Sequence, residues 1–393
     1  MNILFVYERR IIPTFGGVER VTFLLSEELR RRGHDVAFLS VGPEDWNREQ
    51  VETGFPQFYL PSSEENFTLR FSSLLSDRGV EVIIFQGLHP AVRKTLSHVP
   101  HGIKKLLAYH NLPFSTHLKE RFVQKLHPWS SLKLKGKFLK VAALVYPPSF
   151  RLMTNRLIAS RYREVAKQVD KFLFLSDRFL PRVKELVNGI EAHKLGAINN
   201  PLTFRVPLQE ELDNIEQQKE NVVLFVGRLS NPQKNVTGFI DVWHRFSRLH
   251  PDWQALVVGD GEHAEYIRKY AHKKKVERLS FEGNKLDVAQ YYKRAKILCM
   301  TSTYEGWGMV LTEAMAYCCV PVLYDSYEAA QDIVTSGSNG FLIPPFDKNE
   351  MVAALDLLAS DRGMRLEMAA SGRNKIQEFQ TPKIVDKWEE IIQ

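Results

Sequence analysis

Short continuous apolar runs alternate along this chain with longer stretches whose apolar residues are spaced three and four apart, and the alternation starts twice. Ile3-Leu4-Phe5-Val6 is a run closed by Glu8-Arg9-Arg10, the pattern of a strand buried on both faces. Val18, Val21, Leu24, Leu25 and Leu29 then fall at helical spacing, and Arg32-Gly33 supplies a basic last turn with a glycine stop. Residues 36–39, 82–85, 104–109 and 171–175 read as later strands of the same sheet. Near Asn199-Asn200-Pro201 the pattern breaks, and Pro207 and Gln209-Glu210-Glu211 lead to a fresh strand, Val222–Val226. Further strands are expected at 255–258, 279–281, 295–300, 320–323 and 340–343, and a final helix carries Ile384, Trp388 and Ile391. Strand and helix alternating in this way predict an α/β protein with parallel sheets covered by helices. The expected domains are residues 1–200, residues 201–370, and a terminal helical segment, 371–393.

A length of 393 residues exceeds one comfortable hydrophobic core, which agrees with two domains. The three cysteines, Cys299, Cys318 and Cys319, are too few and too close for a disulfide framework and read as buried thiols in a reducing compartment. Asn2–Tyr7 reads as a first strand, not as the apolar core of a leader. Uncharged runs stay short of the roughly 18 to 20 residues a membrane span needs, so a cytoplasmic protein is expected.

The formal net charge is +7, and it is concentrated. Between Phe114 and Lys171 stand 13 Lys/Arg against three acids, interleaved with Phe122, Trp129, Phe138, Tyr146, Phe150 and Tyr162. Such a stretch suits anionic lipid headgroups, at about 1 kcal/mol per basic residue near the surface; nucleic acid and a merely solvated helical face are the rival readings. The expected partner is an anionic membrane surface, with peripheral attachment to the cytosolic leaflet, and no nucleic acid.

The most chemical segment is Glu305-Gly306-Trp307-Gly308-Met309-Val310-Leu311-Thr312-Glu313-Ala314-Met315-Ala316. A buried strand precedes it and helical spacing follows, so one carboxylate sits in a glycine-interrupted turn and the other on the first turns of a helix. That handover aims unpaired N–H groups and the positive helix end at one point, which suits phosphate. Carboxylates only accept hydrogen bonds, so the two glutamates suit hydroxyl-rich groups attached to the phosphate, as in a nucleotide sugar. Two glutamates at this spacing are common on solvated helices, but an exposed helix start does not need two glycines around a tryptophan.

This segment resembles the signature of the retaining family 4 glycosyltransferases, in which Glu-Gly-Phe-Gly is followed by Glu-Ala-Met-Ala. Trp307 replaces the usual Phe, and Cys318 stands where most members have Gly. The resemblance runs over nearly the whole chain and implies the GT-B fold, two doubly wound Rossmann-like domains facing across a cleft, with the last helix crossing back to the first domain. It implies that Arg228 and Lys234, on the turn after strand 222–226, hold the donor diphosphate and stabilise the leaving group. Read from charge alone, the two cations can neutralise a diphosphate, and the chain has no Asp-x-Asp pair for a magnesium handle. No metal and no cofactor are therefore expected.

The Gly259-Asp260-Gly261 turn superficially fits a dinucleotide fingerprint, but it lies mid-domain and better resembles the Gly-Asp-Gly turn that shapes the family's nucleotide pocket. Gly16 and Gly17 occupy the first strand-to-helix turn, where glycine allows close ligand approach. His110 follows a strand end, where the family has a comparable His. The expected catalytic set is Arg228, Lys234, Glu305 and His110. The expected donor set adds Gly16, Gly17, Gly227, Gly259, Gly306, Trp307, Gly308, Met309, Val310 and Glu313; Ser176 and Asn200 resemble cleft positions more weakly. The resemblance implies a metal-independent, retaining hexosyl transfer from a nucleotide sugar, with UDP the expected nucleotide, to a saccharide acceptor, expected to be lipid-linked and to serve cell-surface polysaccharide or lipopolysaccharide synthesis. Two other readings stay open: an epimerase or glycan phosphorylase on the same fold, and a non-catalytic basic lipid- or nucleic-acid-binding module.

Overall fold

The computed structural model describes residues 1–46, 51–114 and 147–393. They divide into two compact units. The first contains Met1–Pro113, Asn155–Thr203 and Phe379–Gln393, and Phe204–Glu378 forms the body of the second.

In the first unit seven parallel strands, β1 (Asn2–Tyr7), β2 (Asp35–Ser40), β3 (Gln57–Tyr59), β4 (Val82–Gln86), β5 (Lys104–Ala108), β6 (Lys171–Phe174) and β7 (Leu195–Ala197), lie in the order β3-β2-β1-β4-β5-β6-β7. In the second unit β8 (Glu220–Val226), β9 (Gln254–Val258), β10 (Leu279–Gly283), β11 (Ala295–Met300), β12 (Val320–Tyr324) and β13 (Phe341–Ile343) lie in the order β10-β9-β8-β11-β12-β13, again all parallel. The apolar runs fill the middle of each sheet because helices cover both faces; Leu4, Ile83, Val223 and Ile297 are wholly buried. β3 and β7 were not expected. Each is a three-residue edge strand with no apolar run of its own, held in place by pairing with β2 or β6.

The order of each sheet reverses at its first strand, between β1 and β4 and between β8 and β11. Such a switch point leaves a crevice beyond the carboxyl ends of the two strands, where open α/β sheets take their ligands. The loops after β8 and β11 carry Arg228, Lys234 and Glu305, so topology places these residues at the switch point of the second unit.

The last helix, Thr381–Ile392, starts with a proline in its first turn and belongs to the first unit. It packs along the helix Gly17–Arg31. Arg32 reaches Asp386 and Glu389, each at 2.6 Å, and Lys104 Nζ donates to the Ile392 carbonyl at 3.0 Å, capping the last turn. Its buried face is Ile384, Val385, Trp388 and Ile392, with Ile391 only half-buried. The returning segment is shorter than 371–393: the helix Arg362–Lys375 packs on Met309–Ala316 and Lys348–Ser360, so the chain re-enters the first unit at Phe379. Of the basic stretch, residues 115–146 lie outside the described residues, and Pro147–Gln168 is a helix. No helix among the described residues is long and apolar enough to cross a membrane.

Candidate active site

The second unit builds its site from three loops sewn together. After β8, Gly227 N–H donates to Val258 O at 3.0 Å and Leu229 N–H to Asp260 O at 2.9 Å, so the turn at 227–229 lies flat on the Gly259-Asp260-Gly261 turn. The approach requires glycine. A Cβ at Gly259, whose φ is +134°, would sit 2.0 Å from the Gly227 carbonyl oxygen, and one at Gly261 would sit 2.9 Å from Leu229 N. The single helical turn Asn231–Lys234 follows and closes on a left-handed Asn235, φ 48°.

Two threonines after β11 fasten that turn. Thr301 Oγ1 donates to Asn235 O at 3.0 Å, Thr303 Oγ1 to Pro232 O at 2.8 Å, and Thr303 N–H to Gln233 O at 2.7 Å. The result is an ion pair between two loops: Lys234 Nζ lies 2.5 Å from Glu305 Oε1, with side chains only 15% and 9% exposed. Gln233 Nε2 approaches Glu305 Oε2 at 3.5 Å. Lys234 is thus not the exposed loop cation that its surroundings in the sequence suggest. Arg228 is exposed. Burial, reinforced by the Glu305 charge, pushes the Tyr304 hydroxyl up to about 12, with the Arg228 charge opposing.

Beyond Glu305 the chain turns through Gly306, buried Trp307 and Gly308 into the helix Met309–Ala316. Gly308 is the N-cap at φ 90° and makes no side-chain cap. A Cβ there would lie 2.4 Å from the Tyr327 hydroxyl. The first N–H groups of such a helix, those of Met309 and Val310 among them, have no intrahelical acceptor. Glu313, on the second turn, is buried, and its Oε2 accepts from the Tyr292 hydroxyl at 2.8 Å. The helix ends beside a left-handed Cys318, φ 57°, a backbone state that favours glycine and explains the residue usual there. Burial pushes the neighbouring Cys319 thiol up to about 12.

The first unit positions its candidates separately. Gly16 precedes the helix Gly17–Arg31, and a Cβ on it would meet the Glu19 carboxylate at 2.6 Å. His110 Nε2 pairs with Gln86 Oε1 at the end of β4, while its Nδ1 is buried without a hydrogen-bond partner. Burial pushes the ring down to about 4, so it is neutral at physiological pH. His110 and Asn200 line one small cavity with Val21, Leu173 and Trp388. Ser176 caps a short turn, its Oγ accepting from Arg178 N–H at 3.1 Å.

Residues 15–202 match the family model described as Glycosyltransferase Family 4, and residues 209–375 the model described as Glycosyl transferases group 1. The chain is a family 4 glycosyltransferase. An uncharacterized glycosyltransferase of Haemophilus influenzae is 24% identical over 394 residues, covering 97% of each chain. The Campylobacter jejuni GalNAc-alpha-(1->4)-GalNAc-alpha-(1->3)-diNAcBac-PP-undecaprenol alpha-1,4-N-acetyl-D-galactosaminyltransferase is 26% identical over 216 residues, 55% of this chain and 56% of that one. Among solved structures, Anabaena HepE in complex with UDP superposes with a TM-score of 0.72 at 17% identity, covering 100% of this chain and 99% of that one. The two parallel sheets and this full-length likeness are those of the GT-B fold.

Three residues of this glycosyltransferase escaped the sequence reading. Glu8 and Glu19 gather around β1 and the following helix, where burial pushes Glu8 up to about 7 and raises Glu19. In the sequence Glu8 reads only as the polar flank of a strand, and Glu19 is assigned no role. The third, Tyr292, belongs to no motif in the sequence, since nothing announces Glu313, 21 positions away, as its partner.

Proposed function

We propose that this glycosyltransferase moves a hexosyl group from a UDP-sugar to a saccharide acceptor carried on a lipid, with retention of configuration and without a metal ion. The observation that carries the reading is the convergence, at the β8/β11 switch point, of Lys234, Glu305 and the open N-terminus of the Met309–Ala316 helix. A diphosphate over that helix end would meet N–H donors and the cations Lys234 and Arg228, and stabilising charge on a departing diphosphate lowers the barrier directly. Glu313 is assigned to the nucleotide ribose and Glu305 to the hexose. UDP bound to Anabaena HepE and the undecaprenol-linked substrate in the Campylobacter enzyme's name support the donor and acceptor classes. Reaction at the face from which the nucleotide leaves, and a place in cell-surface polysaccharide or lipopolysaccharide synthesis, follow from the family resemblance.

A panel of nucleotide sugars tested for thermal stabilisation and slow hydrolysis is the direct check. One UDP-hexose is expected to stabilise the protein and to be turned over in excess EDTA. Stabilisation by no nucleotide sugar, or turnover that needs added magnesium, overturns the corresponding part. The basic 114–171 stretch would hold the enzyme to anionic vesicles in a salt-reversible way, since exposed charges are screened over roughly 8 to 10 Å at 0.1 to 0.15 M salt. Flotation with anionic and neutral vesicles, for wild type and a Lys133/Lys135/Lys137/Lys140→Gln variant, tests it; equal flotation of all samples refutes it.

A further inference from the structure

Glu313 does not stand alone in its helix. Tyr292, in the short helix Ala289–Arg294, is wholly buried and its hydroxyl donates to Glu313 Oε2 at 2.8 Å. Its ring lies parallel to that of Tyr317, centroids 6.3 Å apart at 3°, and Phe204 meets both rings edge-on at 6.1 and 5.9 Å. The backbone beneath the two rings is held as well. Lys219 Nζ donates to Tyr292 O at 2.8 Å, Ala295 O at 2.5 Å and Tyr317 O at 2.6 Å. These three carbonyls lie at the C-terminal ends of two helices, so one ammonium supplies the donors both helices lack there. A ring packed in a triangle with two other rings and anchored at its own carbonyl has little freedom to follow a wandering carboxylate. The carboxylate therefore follows the ring.

We propose that Tyr292 is the positioning residue for Glu313: its hydroxyl holds the carboxylate in the orientation in which it accepts from the ribose hydroxyls of the nucleotide donor. The inference rests on the assignment of Glu313 to the ribose. Tyr292 touches no substrate; it acts through Glu313. Hydrogen bonds that orient a ligating group matter nearly as much as the group itself, because a misaligned acceptor loses the charge-assisted geometry that gives it strength.

The test is calorimetric titration of UDP and of 2′,3′-dideoxy-UDP into wild type, Tyr292→Phe, Glu313→Gln and the double variant. Tyr292→Phe removes one oxygen and keeps the stacked ring. UDP affinity should fall about tenfold in Tyr292→Phe, the scale seen when an orienting partner is lost. The dideoxy nucleotide should bind both proteins alike, because it lacks the hydroxyls that Glu313 would read. In the double variant UDP should bind about as in Glu313→Gln alone, since residues that act as one unit are not additive. A merely structural hydroxyl would lower the melting temperature and leave the ratio of UDP to dideoxy-UDP affinity untouched, and that result overturns the inference. If Glu313→Gln weakens UDP while Tyr292→Phe does not, the ribose assignment stands and the positioning role falls. If Glu313→Gln leaves the ratio unchanged, both fall together.

Discussion

Replacing Lys234 by methionine should break the second unit's stability and its chemistry separately, and the structure sets the size of each loss. Glu305 is 9% exposed and Lys234 Nζ lies 2.5 Å away; Gln233 Nε2 approaches the same carboxylate at 3.5 Å. Breaking a buried pair by removing one partner costs about 3–5 kcal/mol, because the other charge is left without compensation. Some water reaches this pair, and Gln233 can close in, so the lower end, about 3 kcal/mol, is expected. For a domain of this size that lowers the melting temperature by roughly 6–12 °C. Methionine keeps most of the lysine stem, so lost packing contributes little.

A second substitution separates the two losses. In Lys234→Met/Glu305→Gln the stranded charge is gone, and stability should return to within about 1 kcal/mol of wild type, since replacing both partners of a buried pair is often nearly neutral. Turnover of a UDP-hexose should not return: both variants should lose about 10²-fold or more, the scale of losing one charge partner of the transition state. Scanning calorimetry and a UDP-release assay on the three proteins suffice. A single variant as stable as wild type, or a double variant no more stable than the single, refutes the claim that this pair holds the loop.

Glu305→Gln should leave UDP affinity no weaker than wild type while turnover falls, because it removes a negative charge near the diphosphate and a hexose contact together; titration of UDP beside the turnover assay reads both. Lys219→Met strands three backbone carbonyls and should cost about 3 kcal/mol at roughly 1 kcal/mol per orphaned acceptor, measured as a lower urea midpoint. Glu8, pushed up to about 7 by burial, keeps its proton in the folded state after the unfolded chain has lost it. Its contribution is therefore full below about pH 4.3 and is lost as pH rises toward 7. Glu8→Gln should flatten that part of the stability curve, and urea midpoints at pH 4.5 and 7.5 that change by the same amount in variant and wild type would refute it.

What was legible in the sequence is what has a period. Eleven of the strands announce themselves as apolar runs because both faces of a parallel sheet are covered; β3 and β7, three residues each, form only because a neighbour presents an open edge. The Glu305–Glu313 segment was legible because glycine in a strand-to-helix turn is a local demand, met at Gly308 with its φ of 90°. Partners brought together by folding leave no such mark. Lys234 looks solvated in sequence, since lysine on a proline-containing turn usually is, yet the hydroxyls of Thr301 and Thr303, nearly 70 residues on, draw the turn inward. The same holds for Tyr292 and Glu313, and for Lys219 and the Tyr317 carbonyl 98 residues away.

The pairing of Lys234 with Glu305 bears on how such a site stays ready without its substrate. A lone buried lysine would lose its hydration without compensation and would turn toward water. Glu305 keeps it in place, so the cation needs no reorganisation when a diphosphate arrives, and electrostatic catalysis depends on that readiness. The cost is a carboxylate beside an anion. It would be tolerable because Lys234 cancels Glu305, leaving Arg228 and the helix end to give a positive balance of about 1.5 charges on that assignment. On the proposed diphosphate assignment, Arg228, which is exposed, would carry most of the net attraction. Lys234 would supply fixed geometry instead, and salt should then weaken the part of UDP binding that depends on Arg228 more than the part that depends on Lys234.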